Sequence, residues 1–199
     1  MKKFALSIFA FVFTLSTGYI SSAAAADWEI DPMHSAVQFS VKHLMISNVK
    51  GIFKKFSGAL SLDDKDVTKS SVVAEIEVES IDTGIEDRDK HLKSPDFFDV
   101  AKFPKMTFKS TKVEKAKGGL KVTGDLTIRG VTKKVVLDVE GPTQEISDPW
   151  GNVKRGVVAK TKVNRKDFGL TWNKALETGG VVVGEEVAIT IELELAKKK

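Results

Sequence analysis

The strongest constraint on the fold of this chain is an alternation of apolar and polar residues with a period of two. In residues 186–195 every second residue is Val, Ile or Leu, and the residues between them are mostly Glu or Thr. A half-buried β-strand has this pattern, because successive side chains point to opposite faces of a sheet. The pattern occurs in eight segments, at residues 36–43, about 49–62, 72–79, 106–110, 120–128, 135–139, 157–163 and 186–195. The sequence therefore predicts an all-β fold of eight strands.

The spacing of these segments predicts a closed barrel. Most connections between them are short, which favours antiparallel neighbours because parallel strands need long crossovers. Closure removes the exposed edges that a long apolar strand would otherwise leave. A change of phase at Lys54-Lys55 predicts a β-bulge. A barrel of eight strands can be filled by side chains or can hold one small ligand. Two long inserts, residues 80–104 and 164–184, could cover one mouth and favour a cavity.

The first 26 residues have the three parts of a secretory signal peptide. Two lysines precede an apolar run from Phe4 to Leu15, and a stretch of small residues ends at Ala26. The apolar run is too short to span a bilayer stably. We predict cleavage between Ala26 and Asp27, a single mature domain over residues 27–199, and a periplasmic location.

The composition argues against disulfides, lipid anchoring and nucleic-acid binding. The chain contains no cysteine, so neither a disulfide nor a lipoprotein anchor can form. Its net charge of +4 falls to +2 once the leader, with its two lysines and no acidic residue, is removed. The remaining lysines are scattered rather than gathered with aromatic residues, and we therefore expect no nucleic-acid partner.

The insert from Ser80 to Pro104 interrupts the strand pattern with helical, charged and aromatic residues. Thr83 and Glu86 fit a capping box at a helix start. Pro95 disfavours helical backbone in the residue before it. We predict a short helix over residues 84–93.

Arg88 in this helix needs a partner if it faces inward. It either pairs with Asp89, Asp96 or backbone carbonyls, as buried charges usually do, or it meets a polar or anionic ligand at the rim of a cavity. His91 lies about one helical turn beyond Arg88 and would share that second role.

No motif in the sequence supports catalysis or a bound metal. A nucleophile elbow, a phosphate-binding glycine loop and a cysteine nucleophile are all missing. The histidines His34, His43 and His91 lack a metal-ligand spacing, and the aspartates of the insert do not have the spacing of a calcium loop. We expect neither an enzyme nor a cofactor.

A set of motifs runs in order along nearly the whole mature chain. They are Trp28-x-Ile30-Asp31-x-x-His34-Ser35-x-Val37-x-Phe39-x-Val41-x-His43-Leu44, Ser80-Ile81-Asp82-Thr83-Gly84, Arg88-Asp89-x-His91-Leu92-x-Ser94-x-Asp96-Phe97-Phe98-Asp99, Phe103-Pro104, Phe108-x-Ser110-Thr111, Leu126-Thr127-Ile128-Arg129-Gly130-Val131-Thr132-Lys133 and Arg165-x-Asp167-Phe168-Gly169. Together they resemble the YceI-like family. The resemblance implies an exported, lipocalin-like antiparallel barrel that binds a long polyisoprenoid lipid, with the polar head of the lipid toward the mouth.

Candidate ligand contacts fall into an apolar wall and a polar rim. Candidates for the wall are the apolar residues of several strands and the aromatic residues of both inserts: Val37, Phe39, Val41, Phe53, Phe56, Phe97, Phe98, Phe103, Met106, Phe108, Phe168 and Trp172. Ordinary core packing explains the same residues equally well. For the head group we favour Arg88 and His91, followed by Arg165 and His43, because guanidinium and imidazole groups suit phosphate or quinone oxygens.

We expect non-covalent transport or storage of a long isoprenoid lipid, such as a polyprenyl phosphate or an isoprenoid quinone. Loading implies transient contact with a membrane or a membrane protein, and a homodimer is left open. One alternative is a different apolar guest, either haem, which needs a histidine ligand, or a fatty acyl compound. Another is a ligand-free stress-response or interaction protein that docks a partner through residues 80–104.

Overall fold

The alternating segments form strands in the computed structural model, which describes residues 28–177 and 179–198. The predicted signal peptide and its cleavage site lie outside these residues. The strands are β1 (Trp28–Ile30), β2 (Ala36–His43), β3 (Ser47–Phe53), β4 (Phe56–Ser61), β5 (Ser71–Glu77), β6 (Ile81–Asp82), β7 (Lys105–Ala116), β8 (Gly119–Ile128), β9 (Val131–Glu140), β10 (Ile146–Ser147), β11 (Val153–Asn164) and β12 (Val183–Lys197). The helical elements are α1 (Glu86–Lys93) and the 3₁₀ turns Val67–Lys69, Val78–Ser80 and Arg165–Phe168.

The strands pair antiparallel and close into a barrel. Strand β12 pairs with β11 on one edge and with β1 and β2 on the other. From β11 the pairing continues through β9, β8, β7, β5 and β4 and returns to β1. The segments β1 with β2, β3 with β4, and β5 with β6 follow one another along shared strand paths, so the wall has eight strands and the predicted barrel is confirmed.

The second predicted strand, at about residues 49–62, differs from the prediction at Lys54-Lys55. Strands β3 and β4 end on either side of these two residues, and the extra residues lie in the neighbouring strand path, where residues 77–80 stand opposite Lys54 and Lys55. Strand β3 pairs with β2, whereas β4 pairs with β5. Ser80 satisfies the interrupted backbone, because its carbonyl accepts from the Lys54 N–H at 3.1 Å and its hydroxyl from the Lys55 N–H at 2.9 Å.

Helix α1 is confirmed, but the predicted capping box is wrong. The helix begins at Glu86, and its N-cap residue Ile85 makes no side-chain cap. The Thr83 hydroxyl instead donates to Asp89 Oδ1 at 2.5 Å. At the other end the Ser94 hydroxyl donates to the His91 carbonyl at 2.7 Å, just before Pro95. No helix among the described residues is long and apolar enough to cross a membrane.

The two barrel ends are built differently. We call the end covered by residues 78–104 and by the β11–β12 connection the insert end; its buried core includes Phe53, Phe97 and Phe168. We call the opposite end, with the loops after β4 and β9, the ion-pair end; its buried core includes Trp28 and Leu195.

The β2–β3 hairpin ends in a tip of three residues, Leu44–Ile46, at the insert end. Leu44 and Met45 have φ angles of 50° and 63°, in the left-handed region. This conformation costs a residue other than glycine roughly 1–2 kcal/mol, because its Cβ crowds the backbone. The tip is therefore a strained turn.

Candidate ligand-binding cavity

An apolar cavity of about 260 Å³ lies inside the barrel. Along β8 its wall runs from Leu120 to Ile128. Eight steps of about 3.3 Å on a strand tilted by roughly 40° span about 20 Å of the barrel axis. The cavity therefore extends through most of the barrel, although its volume lies close to the lower bound of roughly 300 Å³ for typical ligand pockets.

The cavity wall is almost entirely apolar. Its uncharged polar members are a few serines, Gln38 and Thr107, and Arg165 is the one charged residue among the described lining residues. The middle of the wall carries Phe39, Phe108 and Ile189. Such a wall can retain an apolar molecule by burial alone and offers polar contact at few points.

Two glycines allow large rings to lie against the wall. The ring of Phe39 covers Gly51 on the paired strand, and the ring of Phe108 covers Gly124. A Cβ at either glycine would overlap the ring, and at Gly124 it would also come within 2.7 Å of the Lys109 carbonyl oxygen. These glycines let the two phenylalanine rings lie flat beside the cavity.

Aromatic contacts close the insert end. The rings of Phe97 and Trp172 lie 5.2 Å apart, and the His91 ring meets both edge-on at 5.0 and 4.9 Å. His91 Nε2 also lies 2.9 Å from Asp96 Oδ2. His91 therefore joins helix α1 to the β11–β12 connection, and its partners are aromatic rings and a carboxylate.

Arg129 also connects the two inserts. Its Nη1 donates to the Gly169 carbonyl at 2.6 Å and its Nη2 to the Pro95 carbonyl at 2.9 Å. We had not singled out Arg129 as a functional residue, because its acceptors are backbone carbonyls 34 and 40 residues away. A side-chain pattern gives no signal for such partners.

Arg165 is the buried cation of the cavity wall, with only 5% of its surface exposed. Its Nε donates to the Gly184 carbonyl at 2.8 Å, its Nη1 to the Leu170 carbonyl, and its Nη2 to the Val183 carbonyl at 3.3 Å. Burial lowers the pKa of Arg165 from its ordinary value, and the charge of Glu185 acts in the opposite direction. A guanidinium remains protonated in proteins, so the insert end of the cavity carries a positive charge.

Arg88 does not reach the cavity. Its Nε donates to Thr83 Oγ1 and its Nη2 to the Thr83 carbonyl, both at 2.8 Å. This is the local hydrogen bonding that we predicted as one of two roles for Arg88. The guanidinium holds the segment that leads into α1.

The residues predicted from the sequence are divided by the structure into two groups. Those that line the cavity are Val37, Phe39, Val41, Phe53, Phe56, Phe97, Phe98, Met106, Phe108, Arg165 and Phe168. Those outside the lining are His43, Arg88, His91, Phe103 and Trp172. Contact of the first group with a ligand stays a prediction.

The residues outside the lining have other contacts or positions. Trp172 and His91 pack against each other and against Phe97. The Phe103 ring instead covers Gly130 in the β8–β9 turn. His43 is the last residue of β2, beside the hairpin tip. Several lining residues that we had not named, such as Ile76 and Leu126, occupy inward positions of the period-two pattern.

The ion-pair end is closed by an arginine whose charge is neutralised. Arg155 lies over the Trp28 ring at 5.1 Å. Its Nη2 donates to Asp64 at 2.7 Å and to Glu145 at 3.2 Å. Arg155 is therefore paired with two carboxylates, and it does not line the cavity.

One cluster of metal-ligating groups occurs among the described residues. Ligand atoms of Asp31, His34 and Glu194 lie within 4.8 Å of one another. Lys154 Nζ, however, lies 2.7 Å from Asp31 and 3.0 Å from Glu194, so an ammonium group occupies the cation position. Hydrogen bonds from Lys154 and His34 lower the pKa of Asp31. The cluster fits an ion-pair network, and it contains one of the three histidines.

Comparison with known proteins identifies the family. A family model described as a YceI-like domain matches residues 28–195, from the first residue of β1 into β12. The chain belongs to the YceI-like family. A family relative from Serratia proteamaculans, named UPF0312 protein, is 39% identical over 199 residues, which cover 99% of this chain and 100% of the relative.

Solved structures of the YceI-like family share this fold. The Campylobacter jejuni YCEI protein is 36% identical, with a TM-score of 0.67 over 79% of this chain and 90% of that chain. A more distant neighbour, from Saccharophagus degradans, is described as a polyisoprenoid binding domain. It is 15% identical, with a TM-score of 0.63 over 87% of this chain and 99% of that chain, and this likeness shows the fold alone.

Proposed function

We propose that this YceI-like protein binds a long isoprenoid lipid non-covalently inside its barrel and carries or stores it in the periplasm. The observation that supports the proposal most strongly is the cavity itself, which is apolar along the barrel and has Arg165, the one charged residue of the described wall, at one end. An isoprenoid lipid has the matching form of a long apolar tail and one polar head.

The tail is retained by burial. Each buried CH₂-sized group contributes about 0.8 kcal/mol, so several isoprene units suffice for tight binding without a covalent bond. The cavity is small for such a tail. We therefore expect loading to widen the barrel or to leave part of the lipid beyond an end.

The head group is assigned to the insert end. Arg165 has five N–H donors, and three of them serve backbone carbonyls. The other two and the positive charge suit a phosphate, and a quinone oxygen could accept one of them. We propose a polyprenyl phosphate or an isoprenoid quinone as the guest.

Fold and family indicate a binding protein rather than an enzyme. The name of the Saccharophagus degradans neighbour, a polyisoprenoid binding domain, supports the ligand class proposed here. Periplasmic location, membrane contact during loading and a homodimer remain predictions from the sequence.

Mass spectrometry of the protein purified from its own host tests the proposal. The spectrum is recorded first under native conditions and then after extraction with organic solvent. We expect one isoprenoid lipid per barrel. A haem or fatty acyl guest would replace the proposed ligand class, and a ligand-free mass that added polyprenyl phosphate and quinone leave unchanged would overturn the proposal.

A further inference from the structure

The tip Leu44–Ile46 exposes apolar side chains where hairpins normally carry polar residues. Met45 is 54% exposed and Ile46 is 82% exposed. Positions with positive φ in such turns usually hold glycine, asparagine or aspartate, yet Leu44 and Met45 occupy them here. This tip has residue types that are unusual for its turn, and it exposes apolar side chains that are normally buried. A segment with both departures is expected to have a role outside folding.

Positive charge surrounds this tip. Lys42 and Lys50 lie on the outer face of the hairpin, since Val41 lines the cavity and Gly51 faces Phe39. The neighbouring β11–β12 connection adds an exposed lysine, Lys174. In the described part of the chain none of these three lysines forms an ion pair.

Three acidic residues lie near these lysines, and two of them are already paired: on β12, across from Lys42, Glu186 pairs with Lys162 and Glu185 pairs with Lys166. The third, Glu177, is exposed in the same connection as Lys174. The surroundings of the tip therefore remain positive overall. Exposed apolar residues beside unpaired lysines are the combination by which peripheral proteins attach to anionic bilayers.

The tip stands at the rim of the cavity. The Leu44 N–H donates to the Val182 carbonyl at 2.8 Å, and His43 pairs with Val183. Val183 lines the cavity, as does Val41 two residues before His43. The apolar tip and Arg165 thus belong to the same barrel end.

We propose that the tip Leu44–Ile46 inserts into the headgroup region of an anionic phospholipid bilayer, with Lys42, Lys50 and Lys174 facing the lipid phosphates. This contact turns the insert end of the barrel toward the membrane. The docking itself does not require a guest, whereas its use in loading rests on the proposed function.

Vesicle flotation tests whether the tip binds an anionic bilayer. The purified protein is mixed with isoprenoid-free vesicles of phosphatidylethanolamine and phosphatidylglycerol, or of phosphatidylcholine alone. We expect flotation with the anionic vesicles only, a loss of at least roughly tenfold in Met45→Ser/Ile46→Ser, and weaker binding at high salt. Trp150→Ser is the matched control, because Trp150 is 83% exposed at the opposite end; it should float like wild type.

A single-cysteine label tests the orientation in a chain that has no cysteine of its own. An environment-sensitive dye on Ile46→Cys should shift to the blue with anionic vesicles, and the same dye on Trp150→Cys should not. A shift at residue 150 alone, no shift at either residue, or unchanged flotation of the tip variant would overturn the docking proposal.

The two proposals fail separately. The tip variant is also analysed for isoprenoid content by mass spectrometry. Protein that carries isoprenoid but ignores anionic vesicles overturns the docking surface alone. Protein that binds vesicles through the tip but never carries or accepts isoprenoid supports the docking surface and overturns the lipid carrier.

Discussion

Arg155 and Arg165 stand near opposite ends of strand β11 and have opposite surroundings. Arg155 faces Asp64 and Glu145 across the ion-pair end and stacks over Trp28. At the insert end Arg165 lines the cavity, and within the described chain its hydrogen bonds go to backbone carbonyls only. Arg155 therefore helps to close the ion-pair end of the barrel, whereas Arg165 gives the insert end of the cavity a positive charge.

The difference shows which end can take a polar ligand group. Asp64 and Glu145 pair with Arg155, and Glu145 also pairs with Lys197, so this cluster has no unpaired positive charge for an anionic head group. The carbonyls around Arg165 orient its guanidinium and leave its charge in place. The sequence analysis named Arg165 because guanidinium groups suit phosphate oxygens, which is equally true of Arg155; the partners of the two arginines separate them.

The largest expected effect comes from removing each charge. Arg165→Met leaves three carbonyls without their donor, and we expect it to lower the free energy of unfolding by about 3 kcal/mol or more. Arg155→Met loses partly exposed ion pairs and the contact with Trp28, and we expect about 1–2 kcal/mol. Urea unfolding measures both variants. If Arg155→Met lowered the free energy of unfolding more than Arg165→Met does, the arginine on which the fold depends most would lie at the ion-pair end, which contradicts the account.

Head-group preference is the next test of the comparison. Wild type should bind a polyprenyl phosphate roughly tenfold more tightly than the matching polyprenol, since a charge-assisted hydrogen bond is worth about 1.5 kcal/mol. Arg165→Lys keeps the positive charge but loses the planar set of N–H donors of the guanidinium, and this variant should lose most of the preference. Arg155→Lys serves as the control, and a loss of preference in that variant instead would place the head group at the ion-pair end.

Loosening the insert end should speed exchange of the lipid. Arg129→Met removes the link between Pro95 and Gly169 and should weaken the closure by about 1 kcal/mol, which is a factor of roughly five in the open population. Transfer of a fluorescent isoprenoid between protein and vesicles measures the rate. Lys160→Met, which breaks an exposed pair on the barrel wall, should leave that rate unchanged. Equal rates in wild type and both variants would mean that the lipid does not leave through the insert end.

The smallest effect concerns acid stability at the ion-pair end. Hydrogen bonds from Lys154 and His34 lower the pKa of Asp31 below its ordinary value of 3.8. A carboxyl whose pKa is lower in the folded state stabilises the fold above pH 4, and this stabilisation is lost as the pH falls further. In Lys154→Met the part of the acid-side loss that comes from Asp31 should shrink. Thermal unfolding between pH 2 and pH 7 measures it, and an unchanged acid slope would contradict the ion-pair assignment.

The barrel was predictable from the sequence because its signal is periodic. Each strand repeats the same in-and-out alternation, so inward positions such as Phe39 and Phe108 could be assigned with no knowledge of their neighbours. The break at Lys54-Lys55 also left a change of phase. The form of this irregularity depends on Ser80, a residue distant in sequence that accepts hydrogen bonds from both lysine N–H groups.

The polar part of the site was harder to predict. Arg88 and His91 were candidates because they lie about one turn apart on a short helix. In the structure the Arg88 guanidinium donates to Thr83, and the His91 ring packs against Trp172. Arg165 owes its role to carbonyls at Leu170 and Gly184. Backbone acceptors have no residue-type signature, so only the folded chain shows that this guanidinium lies in the cavity wall.

A crystal structure of the protein loaded with a polyprenyl phosphate tests the central claim most directly. The account predicts tail density between Phe39, Phe108 and Ile189 and a phosphate within hydrogen-bond distance of Arg165. A phosphate beside Arg155, or an unloaded barrel in which side chains fill the cavity, would contradict it.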